Sequence, residues 1–220
     1  MAQKKLENLW QKGRKQMLND VTVFNIREYL SAKGDKDLGE DELRQLLSEF
    51  FCDKNPDVER FLKEQSIEFT KKNQSVTYLV FSNEDASLVG YFTITIKPIT
   101  VNAENFSNTM KRKIARVSEL DEENGTYTLS AYLIAQLGKN FKDGANEKIT
   151  GEQLLHAAVD TIKELQYMAG GMVIFLEAED KEKLMHFYQE ENGFKQFDIR
   201  EMKCRDKDEI HKLVQLLKVM

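Results

Sequence analysis

Two short stretches of this 220-residue chain hold the residue types best suited to chemistry: Thr150-Gly151-Glu152-Gln153, and Phe187-Tyr188 ahead of Asn192-Gly193-Phe194. A threonine with a glutamine three residues on is a capping box. The hydroxyl accepts the glutamine's amide, and the glutamine side chain reaches back to the threonine's. Behind it Leu154, Leu155, Ala158, Val159, Ile162 and Leu165 recur at helical spacing, so a helix opens here. Uncapped amides in such a first turn, at the positive end of the dipole, favour a phosphate, and Lys148 adds a nearby cation. Tyr188 offers a phenol that can donate a proton. Each group also has a plain structural role, as an ordinary helix cap and as a half-buried aromatic with a satisfied hydroxyl.

The surrounding pattern must position them. An apolar strand, Leu129–Leu137, runs into a polar loop, Gly138–Ile149, and then into the helix. The loop lacks the Gly-Lys-Ser/Thr succession of a nucleotide P-loop, because Ile149 separates Lys148 from Thr150. Gly170-Gly171 ends the helix and admits a strand, Met172–Leu176. Asp180 is placed to cap the next helix, whose buried side carries Leu184, Phe187 and Tyr188, and Asn192-Gly193 supplies a left-handed stop. Phe194 returns to a strand.

Upstream, Leu6, Trp10, Gly13 and Met17 predict a helix over 3–18 that packs on the body. Val21–Leu30 alternates as an entry strand. Glu40–Phe51 and Pro56–Phe69 follow as helices, the second with Val58, Phe61, Leu62, Ile67 and Phe69 inward. Val76–Phe81 and Val89–Ile96 form a hairpin ended by Pro98. Asn105–Val117 predicts a helix with Phe106, Met110, Ile114 and Val117 on one side. Its cations, Lys111, Arg112, Lys113 and Arg116, are read as a solvated face. The C-terminal run His211–Met220 has helical periodicity yet could be a strand closing the sheet.

These residues resemble the GNAT superfamily of N-acetyltransferases over roughly Val76–Phe197. The hairpin Tyr78–Phe81 with Val89–Ile94 is similar to the family's second and third strands. Ala131–Gln136 followed by Thr150–Leu155 is similar to its acetyl-CoA motif. Phe187-Tyr188 and Gly193-Phe194 are similar to its Phe-Tyr-x-x-x-Gly-Phe signature with one residue added. Phe50-Phe-Cys52 with Val58–Leu62 is similar to the branch of bacterial toxin-type acetyltransferases. Of the family's Gln/Arg-x-x-Gly-x-Gly/Ala motif only the last glycine, Gly151, is present.

The resemblance implies an α/β fold with a mixed, mostly antiparallel seven-stranded sheet flanked by helices, the fourth and fifth strands a splayed parallel pair. The C-terminal run becomes the last strand. Residues 1–20 are then a helical extension and 21–220 the acetyltransferase domain. Acetyl-CoA is the implied cosubstrate. The strand backbone of Ile134, Ala135, Gln136 and Leu137 would pair with its pantetheine arm, and Lys148, Ile149, Thr150, Gly151, Glu152 and Gln153 would hold its pyrophosphate. Tyr188 would protonate the departing thiolate.

Composition bounds the rest. Net charge is −5, so nucleic acid is expected as a partner only in the form of tRNA. Two distant cysteines, Cys52 and Cys204, fit a reducing cytoplasm, and the N-terminal residues contain no apolar run of signal-peptide length. No segment has the roughly 20 apolar residues of a membrane span. His156 and His186 lack partner ligands for a metal, and Glu177 reads as a surface carboxylate rather than a base. The expected activity is acetyl transfer to a primary amine of a small molecule or peptide. The alternatives are a toxin-like enzyme acting on aminoacyl-tRNA and a non-catalytic module that binds CoA or a partner. Oligomeric state stays open, a homodimer included.

Overall fold

In the computed structural model residues 15–18, 20–30, 39–203 and 210–220 are described. Residues 3–14 of the expected N-terminal helix, and Cys204, lie outside them. Two compact units are present. The first comprises residues 1–95 and 135–164, the second 96–134 and 165–220.

The first unit carries strands β1 (Lys15–Leu18), β2 (Val21–Asn25) and β3 (Val76–Ser82), the start of β4 (Leu88–Asn102) and the end of β6 (Thr126–Lys139). β1 pairs with β2, β2 with β3, and β3 with β4, all antiparallel. Lys15–Leu18 is thus a strand and not the end of a helix: the turn after Leu18 sets Leu18 opposite Val21. The entry strand stops at Asn25, whose side-chain oxygen accepts the Arg27 amide at 2.9 Å and starts helix α1 (Ile26–Leu30). Helix α2 (Glu40–Ser48) follows. Helix α3 is built from Pro56–Arg60, a π-helical turn Phe61–Gln65, and Ser66–Lys71. Asn55 caps it and Pro56 takes the first turn, where a missing N–H costs nothing. Val58, Leu62 and Ile67 are buried and Phe61 is half-buried, while Phe69 stays exposed. The core joins these helices to Leu79, Phe81 and Tyr91 of the hairpin, and the buried Tyr91 hydroxyl donates to Val58 O at 2.6 Å.

The second unit carries the end of β4, the two-residue β5 (Leu120–Asp121), most of β6, β7 (Val173–Glu179), β8 (Lys195–Lys203) and β9 (Ile210–Val219). Its order is β6-β7-β9-β8, with β5 on β6. β6 and β7 are parallel, and β9 is antiparallel to both of its neighbours. The C-terminal run is therefore a strand: β7 and β8 on its two sides satisfy its backbone, which outweighs its local helical period. Seven strands coincide with the seven expected, and β1 and β5 are additions.

Pro98 does not end β4, which continues to Asn102 with Ile99 and Val101 buried. A proline's fixed φ suits extended backbone and removes one donor only. The helix expected over Asn105–Val117 is broken at Phe106, which is extended. A short 3₁₀ turn, Ala103–Asn105, precedes it, and Ser107 then caps a shorter helix, α4 (Asn108–Ile114), accepting the Met110 amide at 3.3 Å. Phe106 and Ile114 are buried, but Val117 is exposed.

Helix α5 (Gly151–Ala169) begins in the first unit and ends in the second. Its stripe Leu154, Leu155, Ala158, Val159 and Ile162 is buried. Among the described residues no helix is long and apolar enough to cross a membrane.

Candidate active site

The first unit holds Lys148–Gln153 and Ala135–Leu137; Ile134 and Tyr188 fall in the second. The capping box forms as the spacing predicts. The Gln153 amide donates to Thr150 Oγ1 at 3.0 Å and the Thr150 amide to Gln153 Oε1 at 2.8 Å. Two of the amides assigned to pyrophosphate are therefore satisfied within the box. The next donors of the first turn, the amides of Gly151 and Glu152, have no acceptor within it and are the ones open to an anion.

Lys148 is committed elsewhere. Its ammonium pairs with Asp85 and reaches Ser87 Oγ at 3.2 Å, in the turn between β3 and β4. The Lys148 bond, and then Ser87, pull the Asp85 carboxyl down to about 2. The loop before α5 folds as 3₁₀ turns over Lys142–Lys148 that reverse at Asp143 and Gly144, both with positive φ. Ala145 and Ile149 anchor it by burial. Ile149 fills the place of a family glycine, and its side chain points inward. Gly151 alone leaves the backbone at the start of α5 without a side chain.

Along β6, Ile134 is buried and Ala135, Gln136 and Leu137 are half-buried. The parallel ladder runs from Ala131 opposite Val173 to Ile134 opposite Leu176. It ends there although β6 continues to Lys139 and β7 to Glu179. The backbone of Ala135–Leu137 has no register partner in β7, as a splayed pair requires. Gly138 follows, where a Cβ would overlap the Val58 methyl of α3.

In the second unit Tyr188 lies in α6, built from Glu182–Met185 and a π-helical segment, His186–Glu191. The residue added between Tyr188 and Gly193 is absorbed by this wider turn, since one insertion in an α-helix makes a π-bulge. The bulge is braced. Asn192, 6% exposed, donates from Nδ2 to Phe187 O at 2.8 Å. The Phe194 amide reaches Tyr188 O at 2.9 Å, and Gly193 takes the left-handed stop at φ +69. Lys218 of β9 donates to Asn192 O at 2.9 Å. The Tyr188 ring packs edge-on against Phe187 and Phe194. Its hydroxyl makes no hydrogen bond to the described residues, and burial pushes the phenol up to about 12. The helix is not capped by Asp180; Lys181 stands at the cap position in extended conformation with no side-chain bond, its ammonium paired with Glu179.

No family model and no curated protein sequence matches the chain. Solved structures do. AtaT complexed with acetyl-methionyl-tRNAfMet superposes with a TM-score of 0.56 at 15% identity, over 89% of this chain and 94% of that one. A tyrosine-to-phenylalanine mutant of KacT gives 0.57 at 16%, over 91% and 95%. A mutant of the AtaT toxin bound to the C-terminus of the antitoxin AtaR and acetyl-CoA gives 0.53 at 15%, over 91% and 94%. This chain has the GNAT fold. At such identities the likeness is one of fold.

Within the GNAT fold, Glu177 at β7 is held by Gln215 Nε2 at 2.6 Å and by Arg200 at 3.3 Å, so it is a cross-strand carboxylate already satisfied. Sequence reasoning missed Asn140 and Asp85. A lone buried-side asparagine closing an apolar strand was the available signal for the first. The second lay in an ordinary polar turn.

Proposed function

We propose that the chain transfers the acetyl group of acetyl-CoA to a primary amine. The observation that carries this reading is Tyr188: a half-buried phenol with an unbonded hydroxyl, on a π-helical turn that accommodates this chain's extra residue. The residues fit the cosubstrate: the open amides of Gly151 and Glu152 would take the pyrophosphate, and the unpaired backbone of Ala135–Leu137 the pantetheine arm. Acetyl-CoA supplies an activated acyl group. The amine nitrogen attacks its carbonyl carbon and the carbon–sulfur bond breaks. The proton of Tyr188 passes to the departing thiolate, and the proton lost by the amine goes to water and restores the phenol. Burial raises a thiol as it raises a phenol, so a thiolate formed in such surroundings is basic enough to accept that proton. Positioning supplies the larger share of the rate.

Thermal unfolding with acetyl-CoA tests the binding half: at 100 times the dissociation constant the folded state gains about 2.7 kcal/mol. No shift at millimolar acetyl-CoA overturns the proposal. Release of CoA across an amine panel tests the chemistry, and binding without turnover on any acceptor leaves a CoA-binding module.

The finer reading of the acceptor is the α-amine of an aminoacyl-tRNA. Two observations support it: the AtaT complex with acetyl-methionyl-tRNAfMet, and the cations of the α4 region. Lys111, Arg112, Lys113 and Arg116 have no ion-pair partner among the described residues. Acetylation of charged tRNA with steep salt dependence is the expected result; acetylation of free amines alone removes this reading.

A further inference from the structure

Strand β8 is the last of its sheet: β9 lies on one side of it, and among the described strands none lies on the other. Asp198, Ile199, Arg200 and Glu201 are all exposed, and since successive residues of a strand face opposite sides, both faces of this edge are open. Ile199 is 47% exposed. It stands opposite Val214 of β9, which stands opposite Ala178 of β7, and both of those are buried. An apolar row thus crosses three strands on one face and runs out into solvent at Ile199. All of these residues lie in the second unit.

The charges beside Ile199 are patterned. Asp198 and Arg200 flank it and share the other face. Among the described residues Asp198 forms no ion pair; its Oδ1 accepts the Ile199 amide at 2.8 Å. Arg200 reaches the two Glu177 oxygens at 3.3 Å through Nη1, and its side chain is 53% exposed, so other donors of its fork are available. A second copy of β8 can be laid antiparallel to the first with the two Ile199 residues opposite each other. Asp198 of each copy then faces Arg200 of the other, twice over by symmetry, and the apolar rows of the two copies become one. Moving the axis one residue either way sets Asp198 against Asp198 or Arg200 against Arg200, and like charges directly opposite are destabilising. Charges on an edge ordinarily keep strands apart. Here they repel a second copy in the neighbouring registers and accept it in one. Asn105 Nδ2 donates to Phe197 O at 3.2 Å, where the register with β9 shifts, and this bounds the pairing at that end.

We propose that β8 pairs with β8 of a second copy of this chain, antiparallel about Ile199, joining two sheets edge to edge. Each contact is made by the same patch on both copies, as a closed two-fold dimer requires. A ladder this short, with exposed charges on it, makes an association that depends on concentration and weakens with salt. The dimer does not rest on the acetyltransferase reading, because only the sheet edge takes part.

Sedimentation velocity on the full chain over a concentration series is the test. The unaltered protein passes from monomer to dimer as concentration rises. Asp198→Arg and Arg200→Asp each raise the dimer dissociation constant at least about tenfold, because each sets like charges opposite at two places. An equimolar mixture of the two variants recovers association, since every Arg then faces an Asp again. Ile199→Glu brings two carboxylates together at the axis and also weakens the dimer at least about tenfold. Asp198 and Ile199 make no contact with Glu177 among the described bonds, so their variants decide the question even if Arg200→Asp does not fold. A chain that stays monomeric at every concentration overturns the proposal and leaves the edge to an extended segment of another protein. A dimer unmoved by Asp198→Arg and Ile199→Glu overturns it too, since it then forms through another surface. Folded single variants that fail to associate when mixed rule out the two-fold pairing about Ile199.

Discussion

The start of α5 and the end of α6 are both helix termini carrying a family-like motif, yet they spend their polar groups differently. At the start of α5, Thr150 and Gln153 satisfy each other and Lys148 is drawn off by Asp85. At the end of α6, Asn192 and Lys218 take up the backbone, and the Tyr188 hydroxyl is left unbonded. A helix terminus that meets its own needs offers a ligand only what remains, here two amides. A terminus braced by neighbours can hold a reactive group free. The motif most legible in the sequence is thus the one more fully consumed by the fold.

The sharpest break of this comparison is Tyr188→Phe. Turnover should fall about a hundred- to ten-thousand-fold, with acetyl-CoA affinity held within about twofold. Equal turnover would make the free hydroxyl incidental. Asn192→Ala should come next, because it strands the Phe187 carbonyl: about 1–3 kcal/mol of stability lost in urea unfolding, together with a lower kcat. Unchanged stability would show that the π-helical turn needs no brace. Thr150→Ala should cost about 1 kcal/mol, largely recovered by Thr150→Ser. A loss of acetyl-CoA affinity greater than the loss of stability would place the threonine against the ligand instead.

The smallest expected effect belongs to Asp85→Asn. The Asp85 carboxyl is held at about 2 in the fold and rises to about 3.9 in the unfolded chain. Its stabilising effect is therefore present above about pH 4 and is lost as pH falls through about 2. On this partly exposed pair it amounts to under about 1 kcal/mol. The variant should flatten stability across that acid window. It also frees Lys148, so a rise in acetyl-CoA affinity would show that the lysine faces a phosphate once released. No rise would confirm it as a purely structural partner of the turn between β3 and β4.

How much was legible varies with sequence distance. The capping box and the stripe behind it lie within four-residue neighbourhoods, and both form as the spacing predicts. The hairpin of β3 and β4 was legible from its alternation, with Thr77 and Thr93 meeting at 2.8 Å in the buried register. The boundaries were less so. Pro98 is an effective stop only where its missing donor is needed, and β4 runs past it. Asn105–Val117 looked like one helix because its apolar spacing is helical, but Ser107 offers a better cap and restarts it. Lys15–Leu18 became a strand because β2 had an unpaired edge to offer. The place of Tyr188 on a helix ahead of the stop at Gly193 was visible from its motif. The partner of Lys148 was not, being 63 residues away.

By itself the sequence determined the elements whose hydrogen bonds close within a turn or whose side chains alternate along one strand: α5 and its box, the hairpin of β3 and β4, the left-handed stop at Gly193. Tertiary structure decided what those elements do with their charges and free backbone. It turned a helix-periodic C-terminus into β9 by giving it strands on both sides. It tied Lys148 to Asp85, and through Asn140 it joined the loop after α2 to the end of β6. Each of these depends on groups dozens of residues apart, whose meeting follows from the packing of whole elements and is not encoded in any local spacing.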